Sequence, residues 1–122
     1  MGLRVLIVDD HEPFRRIAHR LLVAAAFDVV GEAADAAQAL LLVEELRPDV
    51  VVLDVQLSGT DGFGVAEALS MRPAPPAVVL VSSRSRSDYG ALITRSTARG
   101  FVAKADLTGP SLRAALMRDG SG

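Results

Sequence analysis

The chain has no cysteine and no tryptophan, and its single lysine is Lys104. Without cysteine there is no disulfide scaffold, no thiolate metal site and no cysteine nucleophile. Basic residues number 13 against 15 acids, a net charge of −2, so no basic excess supports nucleic-acid binding through bulk charge. Unbroken apolar runs such as Leu21 to Phe27 fall far short of the roughly 20 residues that span a bilayer. The start, Met-Gly-Leu-Arg leading directly into a strand-like run, is unlike a signal peptide. What is there is 122 residues, half of them apolar: too hydrophobic and too weakly charged to be disordered, and enough for one full core. The expectation is one soluble cytoplasmic domain over residues 1–119, with Gly-Ser-Gly at 120–122 a frayed tail or the start of a linker.

Two periodicities alternate along this chain. Leu3 to Val8 is a short apolar run of the kind found in strands covered on both faces. Phe14, Ile17, Ala18, Leu21, Leu22 and Ala25 then recur on one face of a helix that Pro13 can open. Phe27 to Glu32, Val50 to Leu53, Ala77 to Val81 and Phe101 to Ala103 read as further strands. Asp35 with Gln38 predicts a capping box for a second helix running to about Leu46. Helices are also expected from Phe63 to about Met71, from a cap at Ser87 to a stop at Gly100, and from Pro110 to about Arg118. Five strands alternating with five helices imply a parallel sheet with helices on both faces, and in such sheets ligands sit beyond the carboxyl ends of the strands.

That rim carries Asp9 and Asp10, then Asp54, then Ser82 and Ser83, then Lys104. Each alone suits a turn or a solvated strand end. Together they are a reactive set. Three crowded carboxylates repel and need a cation or shared protons, and oxygen ligands select a hard ion such as Mg²⁺. A carboxylate beside such an ion, with a hydroxyl and an amine opposite, is equipped to accept a phosphoryl group.

In this order and spacing, Val-Asp-Asp at 8–10, Val-Val-Leu-Asp-Val at 51–55, Asp61-Gly62, Val81-Ser82 and Gly-Phe-Val-Ala-Lys at 100–104 resemble the receiver domains of two-component response regulators. Val30-Gly31-Glu32-Ala33 and Lys104-Ala105-Asp106-Leu107 are most similar to the LuxR/NarL-like subfamily, which often carries a helix-turn-helix output domain. The resemblance implies a flavodoxin-like (βα)5 doubly wound sandwich with strand order 2-1-3-4-5. It implies that Asp54 is the phosphoacceptor, that Asp10 binds Mg²⁺ directly and Asp9 through water, and that the Gln56 carbonyl completes the protein's ligands. Lys104 would pair with the phosphoryl group, Ser82 and Phe101 would form the switch, and Gln56 and Arg84 would tune the lifetime of the phosphorylated state. A sensor histidine kinase is the implied donor. The chain would be either a stand-alone receiver or part of a longer regulator whose helix-turn-helix output domain lies outside it, and homodimerisation on phosphorylation is open to it. Two departures stand out: Ser58 and Ala105 occupy positions where proline is common in the family.

His11, His19 and the cluster Arg15, Arg16 and Arg20 are expected to be surface or packing residues, although His11 adjoins the acidic pair. Ala24 to Ala26 should pack in the core, and Tyr89 should lie on the fourth helix as a partner contact or simply exposed. An aspartate-nucleophile phosphohydrolase would need an acid two residues after Asp54, where Gln56 stands. A dinucleotide site would need a glycine-rich turn after the first strand, and none is there. The remaining alternative is an interaction module of the same fold that works unphosphorylated.

Overall fold

A computed structural model describes residues 2–117. Seven strands and six helices follow one another: β1 (Arg4–Val8), α1 (Glu12–Ala24), β2 (Asp28–Ala33), α2 (Ala36–Leu46), β3 (Val50–Asp54), β4 (Gln56–Leu57), β5 (Thr60–Asp61), α3 (Gly62–Ser70), β6 (Ala77–Ser82), α4 (Arg86–Tyr89), α5 (Ala91–Arg95), β7 (Gly100–Ala103) and α6 (Gly109–Leu116). β2, β1, β3, β6 and β7 form one parallel sheet in that order, which is the 2-1-3-4-5 order of the five expected strands. The remaining two make a small antiparallel hairpin that the sequence did not announce, because two-residue strands carry no periodicity.

β3 is the centre of this sheet, and all five of its residues are buried. Its alternation sorts the core into two layers. Leu53 and Val51 join Leu6, Val8 and Leu80 under α2 and α3, while Val50 and Val52 join Val5, Ile7 and Val79 under α1 and α6. A strand packed on both faces has no polar side, which is why these runs are continuous and β-branched.

Several local expectations need correction. On α1 the buried stripe is Ala18 and Leu22, with Phe14 and Ala25 partly covered, whereas Ile17 and Leu21 are 56% and 38% exposed. One helix lying on a flat sheet buries a narrower arc than the i, i+3, i+4 pattern spans. Ala24 and Ala26 are exposed, and Ala26 ends the helix at φ 72° in place of the usual glycine. Asp35 does cap α2 by accepting from the Gln38 N–H, but Gln38 returns its side-chain bond to the Ala34 N–H, one residue before the cap. The cap of α4 is Ser85, not Ser87, with Asp88 accepting from the Ser85 N–H. The expected fourth helix is two short pieces broken at Gly90, whose φ of 53° and ψ of −122° suit only glycine. Gly100 is no helix stop: it opens β7 where Ala115 of α6 approaches closely. The last turn to Arg118 and the tail at 120–122 lie outside the described residues. Among the described residues no helix is long and apolar enough to cross a membrane.

Candidate functional site at the carboxyl rim of the sheet

β1 and β3 are neighbours in register, Val8 beside Leu53, so the residues that follow or end them meet at one rim. Asp9 is fully buried and Asp54 is 3% exposed, whereas Asp10 reaches partly into solvent. Carboxylate oxygens of the three, with a ring nitrogen of His11, all lie within 4.8 Å of one another. Like charges held this close are tolerable only with compensation.

Lys104 is one source of it. It begins a 3₁₀ turn after β7, and its Nζ lies 2.6 Å from Asp9 Oδ2 and 3.5 Å from Asp54 Oδ2. The same ammonium rests 4.6 Å from the centroid of Phe14 on α1, so a ring walls one side of the cation. His11, expected as a surface or packing residue beside the acidic pair, turns its ring onto that pair. Its Nδ1 is 2.9 Å from Asp10 Oδ1 and 3.2 Å from Asp9 Oδ1, and its backbone N–H donates to Asp9 Oδ1. Even so, the pocket is under-served. Lys104 is close to Asp9 Oδ2 but off the line of a hydrogen bond, and both that oxygen and Asp10 Oδ1 are buried without a donor. Oxygens in this condition fit a divalent cation, with Asp9, Asp10 and Asp54 as the donors.

The acidities follow from these surroundings. Burial first, and then the Asp9 charge, push the Asp54 carboxyl above its ordinary value. Asp10 moves the other way, held below its ordinary value chiefly by the Ser58 hydroxyl, with the nearby His11 adding to it. Ser58 therefore has a role that its sequence did not signal: it donates to Asp10 Oδ2, tying the β4–β5 hairpin to the acidic pair where a proline would only stiffen it. Gly62 lets the hairpin close, because a Cβ there would meet the Asp54 carbonyl at 2.3 Å. The other departure, Ala105, lies in the 3₁₀ turn, and no cis peptide bond occurs among the described residues.

Other expected site residues are placed less simply. The backbone N–H of Gln56 donates to Asp54 Oδ1, and its side chain is exposed, as is that of Arg84. Ser82 is fully buried at the end of β6, but its hydroxyl faces Tyr89 Oη at 2.6 Å and accepts from the Arg84 N–H. Phe101 pairs edge-on with Tyr89, the centroids 5.8 Å apart. The residue joining the two is thus Tyr89, a half-buried side chain whose position only the folded α4 reveals. Arg15 is likewise more than a surface cation. It donates to the Asp9 carbonyl and to Glu32, and His19 meets the same Glu32 at 2.9 Å, so α1 is tied to the backbone of the acidic pair.

A hollow of about 490 Å³ lies at the opposite rim among Val43, Arg47, Pro48 and Pro73, Pro75 and Pro76. It gathers no comparable set of reactive groups, so the acidic pocket remains the candidate.

Comparison with known proteins bears on the family and the fold. A family model described as the response regulator receiver domain matches residues 5–116. A transcriptional regulatory protein named NarL from Mycobacterium tuberculosis is 36% identical over 103 residues, covering 84% of this chain and 48% of that one. A protein-glutamate methylesterase/protein-glutamine glutaminase from Myxococcus xanthus is 46% identical over 82 residues, 66% of this chain and 24% of that protein. The chain thus spans half or less of the curated relatives it matches. Among solved structures, a NarL signal receiver domain from M. tuberculosis superposes with a TM-score of 0.83 at 34% identity, covering 96% of this chain and 98% of the other. A sheet of this order, an acidic rim at the expected strand ends and a family match from β1 to the end of α6 lead to one conclusion: the chain belongs to the response regulator receiver domains.

Proposed function

We propose that Asp54 accepts a phosphoryl group and that its arrival resets the Ser82–Phe101 region to control an output domain. The observation that carries this is Asp54 itself, a buried carboxylate at the end of the central strand with Asp9, Asp10 and Lys104 gathered around it. The donor in this reading is a phosphohistidine on a sensor kinase. An Asp54 carboxylate oxygen attacks phosphorus, a P–O bond forms, the P–N bond breaks, and the leaving imidazole keeps the electron pair and takes up a proton. Asp9, Asp10, Asp54 and the Gln56 carbonyl would hold Mg²⁺, which would supply positive charge against the phosphoryl oxygens. Lys104 serves another of these oxygens with its ammonium. Ser82 donates its hydroxyl proton to a third once it leaves Tyr89. Gln56 and Arg84 flank the acceptor and obstruct the water that would hydrolyse the phosphoaspartate.

In this reading the domain works in the cytoplasm, catalyses nothing beyond its own phosphorylation and dephosphorylation, and does not itself contact nucleic acid. Transcription is the output, through a helix-turn-helix domain following this one. NarL and the DNA-binding transcriptional activator EvgA of Escherichia coli support it, the latter 30% identical over 102 residues covering 84% of this chain. Esterase chemistry is not carried over, since the methylesterase match covers 24% of that protein.

The test is intact-mass measurement after incubation with a small acyl phosphate. One added phosphoryl group is expected with Mg²⁺ present, and none in Asp54→Asn. No gain in the wild type would leave the unphosphorylated interaction module as the better reading.

A further inference from the structure

We propose that Tyr89 is a positioning residue that holds the Ser82 hydroxyl away from the phosphoryl pocket, so that phosphorylation must break the Ser82–Tyr89 hydrogen bond before Ser82 can serve the phosphoryl group. This rests on the assignment of Asp54 as acceptor and goes beyond it, because that assignment gives Tyr89 no task.

Ser82 has one proton and two lone pairs. One lone pair already receives the Arg84 N–H, which leaves the proton and the second lone pair, and the 2.6 Å contact with Tyr89 Oη engages one of these two. In the latched arrangement Ser82 is the donor to Tyr89 Oη, so its single proton is spent. It cannot offer its proton to a phosphoryl oxygen while it keeps this geometry. The bond is worth holding because Ser82 is fully buried, where a hydroxyl without a partner is costly.

The ring of Tyr89 is itself held. Phe63 of α3 packs edge-on at 5.7 Å and Phe101 of β7 at 5.8 Å, so Tyr89 fills the space between two elements that are not neighbours in sequence. Phe101 has no hydroxyl with which to make this bond. Tyr89 also sits on a four-residue helix that ends at Gly90, with no buried residue in it. The segment is therefore held by a few side-chain contacts, and losing one of them frees it. Movement of Ser82 and movement of α4 become a single event.

The experiment uses the Tyr89→Phe variant, which keeps the ring, and beryllium fluoride with Mg²⁺ as the phosphoryl mimic. Affinity is read by amide NMR titration. One net hydrogen bond contributes about 1 kcal/mol, so the variant should bind the mimic roughly 5-fold more tightly. Equal or weaker binding overturns the proposal, since a ring that merely packs would alter stability and leave this affinity alone. Tyr89 is the sole tyrosine and there is no tryptophan, so intrinsic fluorescence reports this residue directly. Without the mimic, Ser82→Ala should change that fluorescence, and adding the mimic to the wild type should move it towards the Ser82→Ala value. An unchanged signal in Ser82→Ala overturns the latch. Failure of the wild type to bind the mimic at all, with Tyr89 fluorescence still sensitive to Ser82→Ala, is the separate failure of the Asp54 assignment, and removes the need for a latch with it.

Discussion

β3 and the α4–α5 segment are built in opposite ways. Every residue of β3 is buried between two layers, and its last residue is the charged Asp54. Of the ten residues from Arg86 to Arg95, only Ile93 is buried, and it joins neither of the two core clusters. The first region keeps an uncomfortable charge in place by surrounding it with stiff packing. The second is held by a cap, a glycine break and the Tyr89 contacts. A tightly packed strand and a lightly held surface segment are thus joined through Ser82, which ends β6 beside β3 and meets Tyr89 of α4.

The sharpest way to break this comparison is to weaken both regions by the same chemistry. Leu80→Ala, on the strand beside β3, should cost about 3 kcal/mol in denaturant unfolding, a large share of a domain's total stability. A loss under 1 kcal/mol would show that the sheet is not the rigid region.

A smaller effect concerns the charge itself. The Asp54 carboxyl is raised above its ordinary 3.8, so the folded protein binds more protons than the unfolded chain between 3.8 and the raised value. Stability contributed by this group therefore rises as pH falls through that window, with a slope of at most about 1.4 kcal/mol per pH unit. Asp10, lowered from 3.8, acts with the opposite sign and loses its contribution only below 3.8. Without divalent cation, Asp54→Asn should be more stable than wild type at neutral pH, and its melting temperature should lack this rise on acidification. Parallel pH profiles for the two proteins would show that Asp54 is not under electrostatic strain.

Ile93→Ala should have the least effect on global stability, about 1 kcal/mol, because exposed surroundings can close over the lost volume. Its effect should instead be local, as faster amide exchange over residues 86–96 with little change in β3. Faster exchange throughout the sheet would mean that the two regions are one cooperative unit.

Much of this was legible beforehand, for definite reasons. The runs around Leu6, Val51 and Val79 stand out because a doubly covered strand has no polar side to disguise it. Asp9, Asp10, Asp54 and Lys104 were legible because strand ends in a parallel sheet share one rim, so residues far apart in sequence are placed together by topology alone. Ser58, Arg15 and Tyr89 were not legible. Each reaches the site through a contact that spans from six to 48 positions along the chain, and no periodicity encodes such a contact.

The amino-acid sequence by itself determined the alternation of strand and helix, the strand order once its family was recognised, and the identity of the groups at the rim. These depend on patterns repeated many times, so no single position had to be decisive. Tertiary structure alone decided which way each polar group turns: His11 onto the acidic pair, Ser58 onto Asp10, and the Ser82 hydroxyl onto Tyr89 instead of into the pocket. The reason is that a hydrogen bond depends on distances of a few ångströms and on direction, and those exist only after the two hydrophobic layers have closed on the sheet.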